Sequence, residues 1–170
     1  MPNFRIIDGA EQLQRREGRS GEAARGLRVA NVAARYNEDI VEAMLAGATA
    51  AWQRQGGAVE DLTLVRAPGA FELPLLARSL AQTQRYDAIV ALGCVIRGAT
   101  AHFDFVAGEA ARGIAQAAYD TGVPVSFGVL TTENLEQALE RARPDEMDKG
   151  GEALDAALEM VLALREIARP

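Results

Sequence analysis

The chain has one cysteine, Cys94, and one histidine, His102, in 170 residues. A lone cysteine can build neither an intrachain disulfide nor a cysteine-rich metal cluster. Its apolar setting, GCVI, reads as a buried structural thiol rather than a nucleophile. Apolar stretches are all interrupted before the roughly 18 to 20 residues that a membrane span needs. The first twenty residues, MPNFRIIDGAEQLQRREGRS, lack the apolar core of a secretory signal. A cytoplasmic protein with no membrane partner is expected. Basic residues are outnumbered, 18 against 24 acidic ones, for a net charge of −6. That balance disfavours a general attraction to nucleic acid or to an anionic membrane surface, so any anion must be held by a local site. Two phosphate-binding patterns are also missing. There is no G-x-x-x-x-G-K-[ST], and the loop after the first apolar run, AARYNED, has neither G-x-G-x-x-G nor a Ser/Thr/Gly-rich composition. A nucleoside triphosphatase and a Rossmann dehydrogenase are therefore disfavoured.

What is present is an ordinary globular composition, 49% hydrophobic and 25% charged, at a length that suits one domain with a sizeable core. Two hydrophobic periods alternate along it. LRVANVA (27–33), DLTLVRA (61–67), YDAIVALG (86–93) and PVSFGVL (124–130) read as strands. Between them, Val41, Leu45, Ala48 and Trp52 recur at spacings of a helix face, as do Leu76, Leu80 and Ala81 within FELPLLARSLAQTQ. NLEQALERA and GGEALDAALEMVLALREIA close the chain as helices, the last with Leu154, Leu158, Val161 and Leu164 on one side. The alternation predicts an α/β fold, a mostly parallel four-stranded sheet with helices on both faces. FRII (4–7) is a candidate detached strand, joined by a polar link (9–26) expected to be partly mobile. Residues 1–26 are thus read as an N-terminal extension and 27–170 as the domain.

In such folds ligands gather at the carboxyl edge of the sheet, where strands end and helices begin. The stretch GCVIRGATAHFDF (93–105) falls there. Leu92 and Gly93 are expected to end a strand, and RGAT leads to a helix whose first turn holds Ala101, His102 and Phe103. Gly98 allows close backbone approach, and N–H groups at a helix start attract phosphate. On position alone, His102 reads equally well as a surface or capping residue.

Several stretches together, in order, resemble the lumazine synthase family over nearly the whole chain from about residue 27: ARYNEDIVEAMLAGA, APGAFELP, ALGCVIRGATAHFD, FGVLTT, and LERA followed by DKGGEAL. The combination of PGAFE with RGATxHFD is highly specific. The resemblance implies a flavodoxin-like three-layer sandwich and a transferase of riboflavin biosynthesis. Such enzymes condense 5-amino-6-(D-ribitylamino)uracil with 3,4-dihydroxy-2-butanone 4-phosphate to 6,7-dimethyl-8-ribityllumazine, phosphate and water. It implies no cofactor and no metal.

The resemblance also assigns roles. His102 matches the proton-transfer histidine, and an imidazole with an ordinary pKa near 6.5 suits that work. Gly98, Ala99 and Thr100 match the phosphate contacts. Arg141 matches an arginine that grips the phosphate from a neighbouring subunit, and a guanidinium fork suits a dianion; taken alone it reads as a solvated helix arginine. Tyr36 matches the ring stacked on the pyrimidine, Asn37 and Glu72 match hydrogen-bonding positions around the ribityl chain and pyrimidine, and Lys149 matches a lysine near the ribityl hydroxyls. Phe71 and Phe127 would wall the pocket, with Ala70, Val95 and Ile96 beside them. Two positions depart from the pattern. Tyr36 stands where Phe is usual, and Asp148 stands where Asn is common, beside Lys149.

A pentameric ring is implied, with possible riboflavin synthase association. The link RARPDEMDK (141–149) lacks the insertion of ring-only members, which favours a shell of twelve rings; Pro144, Asp145, Glu146 and Asp148 count against it. Two further readings come from other classes: a flavin- or lumazine-binding relative with weak catalysis, and a structural shell protein. His102 and Arg141 favour the enzyme, since a neutral flavin requires neither.

Overall fold

The two most continuously apolar strands hold the middle of the sheet. In the computed structural model, β1 (Val29–Ala34) is buried at every position and β3 (Ala88–Ile96) at all but its last. Strands covered on both faces have no reason to alternate polar and apolar residues. The partners β2 (Leu62–Ala67) and β4 (Val125–Thr132) are more exposed, and they form the edges: the order is β2-β1-β3-β4, parallel throughout. The structure describes residues 10 and 22–169. The candidate strand at 4–7 lies outside them. Just before β1, Ala23, Ala24 and Leu27 are buried, and the Ala24 N–H donates to the Gln55 carbonyl, so the described end of the link packs on the core.

Among the described residues five α-helices cover the sheet: α1 (Glu38–Arg54), α2 (Leu73–Gln82), α3 (His102–Thr121), α4 (Leu135–Ala142) and α5 (Lys149–Ile167). Close approaches assign them to layers. A methyl group at Gly150 of α5 would sit 1.9 Å from the Met44 carbonyl oxygen of α1, and one at Gly128 of β4 would sit 3.1 Å from Ala153 of α5. These two helices therefore share one face. On the other, a methyl group at Gly113 of α3 would overlap Pro74 of α2, and one at Gly93 of β3 would touch Leu73 of α2. The result is the expected three-layer α/β sandwich.

Several boundaries differ from the sequence reading. β3 does not end at Gly93 but runs to Ile96, because β4 continues beside it through Thr132. Gly93 is there for close helix packing, not as a stop. Phe71 and Glu72 belong to a short 3₁₀ turn, Ala70–Glu72, and α2 starts after it with Pro74 in its first turn, where no N–H is needed. The α1 face is broader than four residues: Ile40, Met44, Gly47 and Ala51 join Val41, Ala48 and Trp52, while Leu45 is half-buried. Along α5, Leu154, Leu158 and Val161 are buried, but Leu164 is 38% exposed.

Candidate functional site

All four strands deliver their carboxyl ends to one edge, and three of the loops that follow build a cavity there. After β1 the Arg35 and Tyr36 N–H groups donate to the Ala67 and Pro68 carbonyls, extending the pairing with β2 past the strands. Asn37 then turns into the left-handed region, φ 58° and ψ 48°, a conformation Asn tolerates better than most residues. Its side chain does not cap α1 but donates to the Cys94 carbonyl on β3 at 2.9 Å. After β2, Pro68 and Gly69 lead into the 3₁₀ turn that presents Phe71, 56% exposed, and Glu72. After β3, residues 97–101 bridge to α3. Ala101 supplies no side-chain cap, and the His102 N–H is 3.4 Å from the Thr100 hydroxyl oxygen that accepts from it. Uncapped N–H groups and the helix dipole make that first turn favourable to an anion.

The cavity encloses about 670 Å³, within the usual range for a small-molecule site. It brings together Tyr36, Asn37, Ala70, Phe71, Glu72, Val95, Ile96, Gly98, Thr100 and His102 from the sequence reading. Ala99 lies in the same loop without lining the wall. Five further residues line it: Gly69, Cys94, Phe103, Phe105 and Val106. Phe103 and Val106 carry a helical spacing that was available in HFDFV, whereas Phe105, 69% exposed, carries no periodic signal of its own. Cys94 was read as structural, and its thiol is buried; desolvation pushes its pKa from 9.0 up to about 11. The same residue nonetheless forms part of the cavity floor. Of five Phe, three Tyr and one Trp in the chain, Tyr36, Phe71, Phe103 and Phe105 meet here, an apolar lining with few polar groups. Such a lining suits a planar ring system.

Three expected residues are elsewhere in the chain. Phe127 and Lys149 line a second, shallower cavity of about 310 Å³ between β4 and α5, with Glu152 and Ala153. Lys149 pairs with Glu152 at 2.6 Å. Asp148, the chain neighbour of Lys149, caps α5: its carboxylate accepts from the Gly151 N–H at 3.0 Å. Arg141, on the last turn of α4, lines neither cavity; it donates to the Gln137 carbonyl at 3.0 Å and pairs with Glu140. Among the described residues no group of three or more His, Cys, Asp and Glu is placed to hold a metal, and no helix is long and apolar enough to cross a membrane.

An open parallel α/β sheet with an aromatic-lined, histidine-bearing cavity at its carboxyl edge defines a class of small-molecule-binding proteins and enzymes. Sequence comparison narrows it. The profile described as 6,7-dimethyl-8-ribityllumazine synthase matches residues 26–165, and the chain belongs to that family. A 6,7-dimethyl-8-ribityllumazine synthase of Nitratidesulfovibrio vulgaris is 53% identical over 144 residues, which is 85% of this chain and 92% of that protein. One from Chlorobium phaeovibrioides is 49% identical over 150 residues, 88% of this chain and 96% of its own length.

Proposed function

We propose that the chain is a transferase of riboflavin biosynthesis that joins 5-amino-6-(D-ribitylamino)uracil to 3,4-dihydroxy-2-butanone 4-phosphate, giving 6,7-dimethyl-8-ribityllumazine, phosphate and water. The observation that carries it is the meeting, in a member of this family, of an aromatic-walled cavity with one imidazole at an uncapped helix start. Tyr36 and Phe71 flank the pyrimidine, while Asn37 and Glu72 offer hydrogen bonds to it and to the ribityl chain. The butanone phosphate lies over Gly98, Ala99 and Thr100, with the positive end of the α3 dipole behind its dianion. His102, at that helix start, is placed to move protons as the amine adds to the ketone, as phosphate leaves and as the ring closes. Held side by side, the substrates gain chiefly in proximity and orientation.

Phe127, Lys149 and Arg141 complete this site only from a second copy. The separation of the two cavities on one chain supports that reading, since neither holds the whole residue set. Head-to-tail contacts of this kind close into a ring, here a pentamer. The short 141–149 link then favours a shell of sixty chains, and a cytoplasmic location with a riboflavin synthase as the consumer of product fits the same role. The test is direct. Purified protein given both substrates should form the lumazine chromophore in an ultraviolet-visible assay, and light scattering should report at least five chains. A yellow protein without turnover would support flavin or lumazine binding instead, and a monomer would end the shared-site reading.

A further inference from the structure

Arg97 begins the loop that carries Gly98, Ala99 and Thr100, yet it is not part of the cavity wall. Its guanidinium contacts three residues on two other elements. Nε donates to a Glu133 carboxylate oxygen at 3.1 Å, in the link between β4 and α4, and Nη1 donates to Asp104 Oδ1 at 3.1 Å, in the first turn of α3. The guanidinium carbon lies 4.1 Å from the centre of the Phe103 ring, the residue next to His102 and itself a wall of the cavity. The main-chain N–H of Arg97 donates to the Thr132 carbonyl at 2.8 Å, so the root of the side chain is fixed by the sheet. The hydrogen bonds to Glu133 and to Asp104 raise its already high pKa, so it is a cation throughout the working range.

The loop it starts has little to hold it. Residues 98–101 are all exposed, a methyl group at Gly98 would meet nothing within 4 Å, and Ala101 gives no side-chain cap. Loop shape must therefore be fixed from its ends. At one end stands Arg97 and at the other Asp104, and these two are joined to each other.

We propose that Arg97 is a positioning residue for the phosphate-bearing substrate: its fork on Asp104 and Glu133, with Phe103 beneath it, sets the Gly98–Thr100 loop and His102 in register with each other. This rests on the reading above that the loop receives the phosphate. A lysine would keep the charge but not the planar fork or the stacking surface. Exposed ion pairs contribute little to global stability, so loss of Arg97 acts on loop geometry more than on folding. Small misplacements of a binding loop are costly in rate, up to about a hundredfold for about 1 Å.

Steady-state kinetics of the assembled enzyme, varying each substrate in turn and adding inorganic phosphate as an inhibitor, test this. Arg97→Ala should raise KM for the butanone phosphate and the inhibition constant of phosphate by on the order of tenfold. KM for the pyrimidine should stay within about twofold, with an unchanged melting temperature, and Arg97→Lys should restore only part of the loss. Should Arg97→Ala not fold, Asp104→Ala and Glu133→Ala each remove one arm of the fork and should show the same selective rise, several-fold in size. Equal rises for both substrates, or a full rescue by lysine, would overturn the inference, as would unchanged phosphate inhibition. Thr100→Ala separates the two readings: if it weakens phosphate binding while Arg97→Ala does not, only the positioning role fails, and if neither matters the loop is not the phosphate site.

Discussion

The side-chain amide of Asn37 donates to the main-chain carbonyl of Cys94 at 2.9 Å, joining residues 57 positions apart. This bond ties the tip of β1 to β3 at the cavity floor, and the left-handed backbone of Asn37 is what aims it. Asn37→Asp keeps the backbone preference but turns a donor into a carboxylate facing a carbonyl. Losing such a bond costs about 1–3 kcal/mol, so affinity for the ribityl-pyrimidine should fall roughly five- to 150-fold. Equilibrium titration with that substrate checks it; an unchanged Kd would remove Asn37 from the site.

His102 and Arg141 are expected to serve one reaction from different chains. His102→Ala should lower kcat by about tenfold to a hundredfold, the low end for acid–base groups because amine and ketone condense readily unaided. Arg141→Ala should chiefly weaken the butanone phosphate, by a charge-assisted contact of about 1.5–3 kcal/mol. Co-assembling the two variants in equal amounts should restore activity at roughly a quarter of the interfaces, those where both residues are intact. No recovery on mixing would place both residues in a single-chain site or in none.

Gly150 is fixed by the crossing of α1 and α5. A Cβ there would lie 1.9 Å from the Met44 carbonyl oxygen, which is backbone and cannot swing away. Gly150→Ala should cost about 1–3 kcal/mol or more through forced separation of the helices. For a chain of this size that lowers Tm by roughly 2–4 °C per kcal/mol. A wild-type melting curve would show that the crossing is looser than the packing implies.

Asp148 caps α5 from a left-handed conformation, φ 43°. Asparagine can accept the same N–H and adopts that backbone easily, so Asp148→Asn should be close to neutral in stability and activity. Alanine loses the cap, at about 1 kcal/mol, and adds left-handed strain. Denaturation of both variants ranks them; a large change in pyrimidine affinity on Asp148→Asn would show instead that the negative charge reaches Lys149.

Cys94 is a protonated thiol in the folded protein because burial disfavours the thiolate. Its folded pKa, about 11, lies above the ordinary 9.0, so the unfolded chain releases the proton first. The stability this contributes is complete below pH 9 and is lost as pH rises from 9 toward 11. Cys94→Ala should therefore flatten the fall in stability over that window. Iodoacetamide at pH 8 should label the native protein slowly and the urea-unfolded protein fast; equal rates would mean an accessible thiolate.

Much of this protein is decided locally and is therefore readable along the chain. Largely apolar runs, interrupted in β1 only by the buried Asn31, marked β1 and β3 as strands, helical spacing determined the inward side of α1 and α5, and the order of strand, loop and helix put the His102 stretch at the carboxyl edge of the sheet, where the structure also brings Tyr36 and Phe71. Where interactions between distant segments compete with local signals, only the tertiary structure decided. Gly93 resembles a strand end, but β4 pairs beyond it and α2 needs the space it leaves. Asp148 reads as a charge beside Lys149, and only the structure shows that its carboxylate also caps the helix start. Arg97 carries no periodic signal, and its partners Asp104 and Glu133 come from two elements that local spacing cannot bring together. The distribution of Phe127, Lys149 and Arg141 away from His102 was likewise invisible in spacing, because it depends on which edge strand and which helix face each one occupies once the sheet has closed its order.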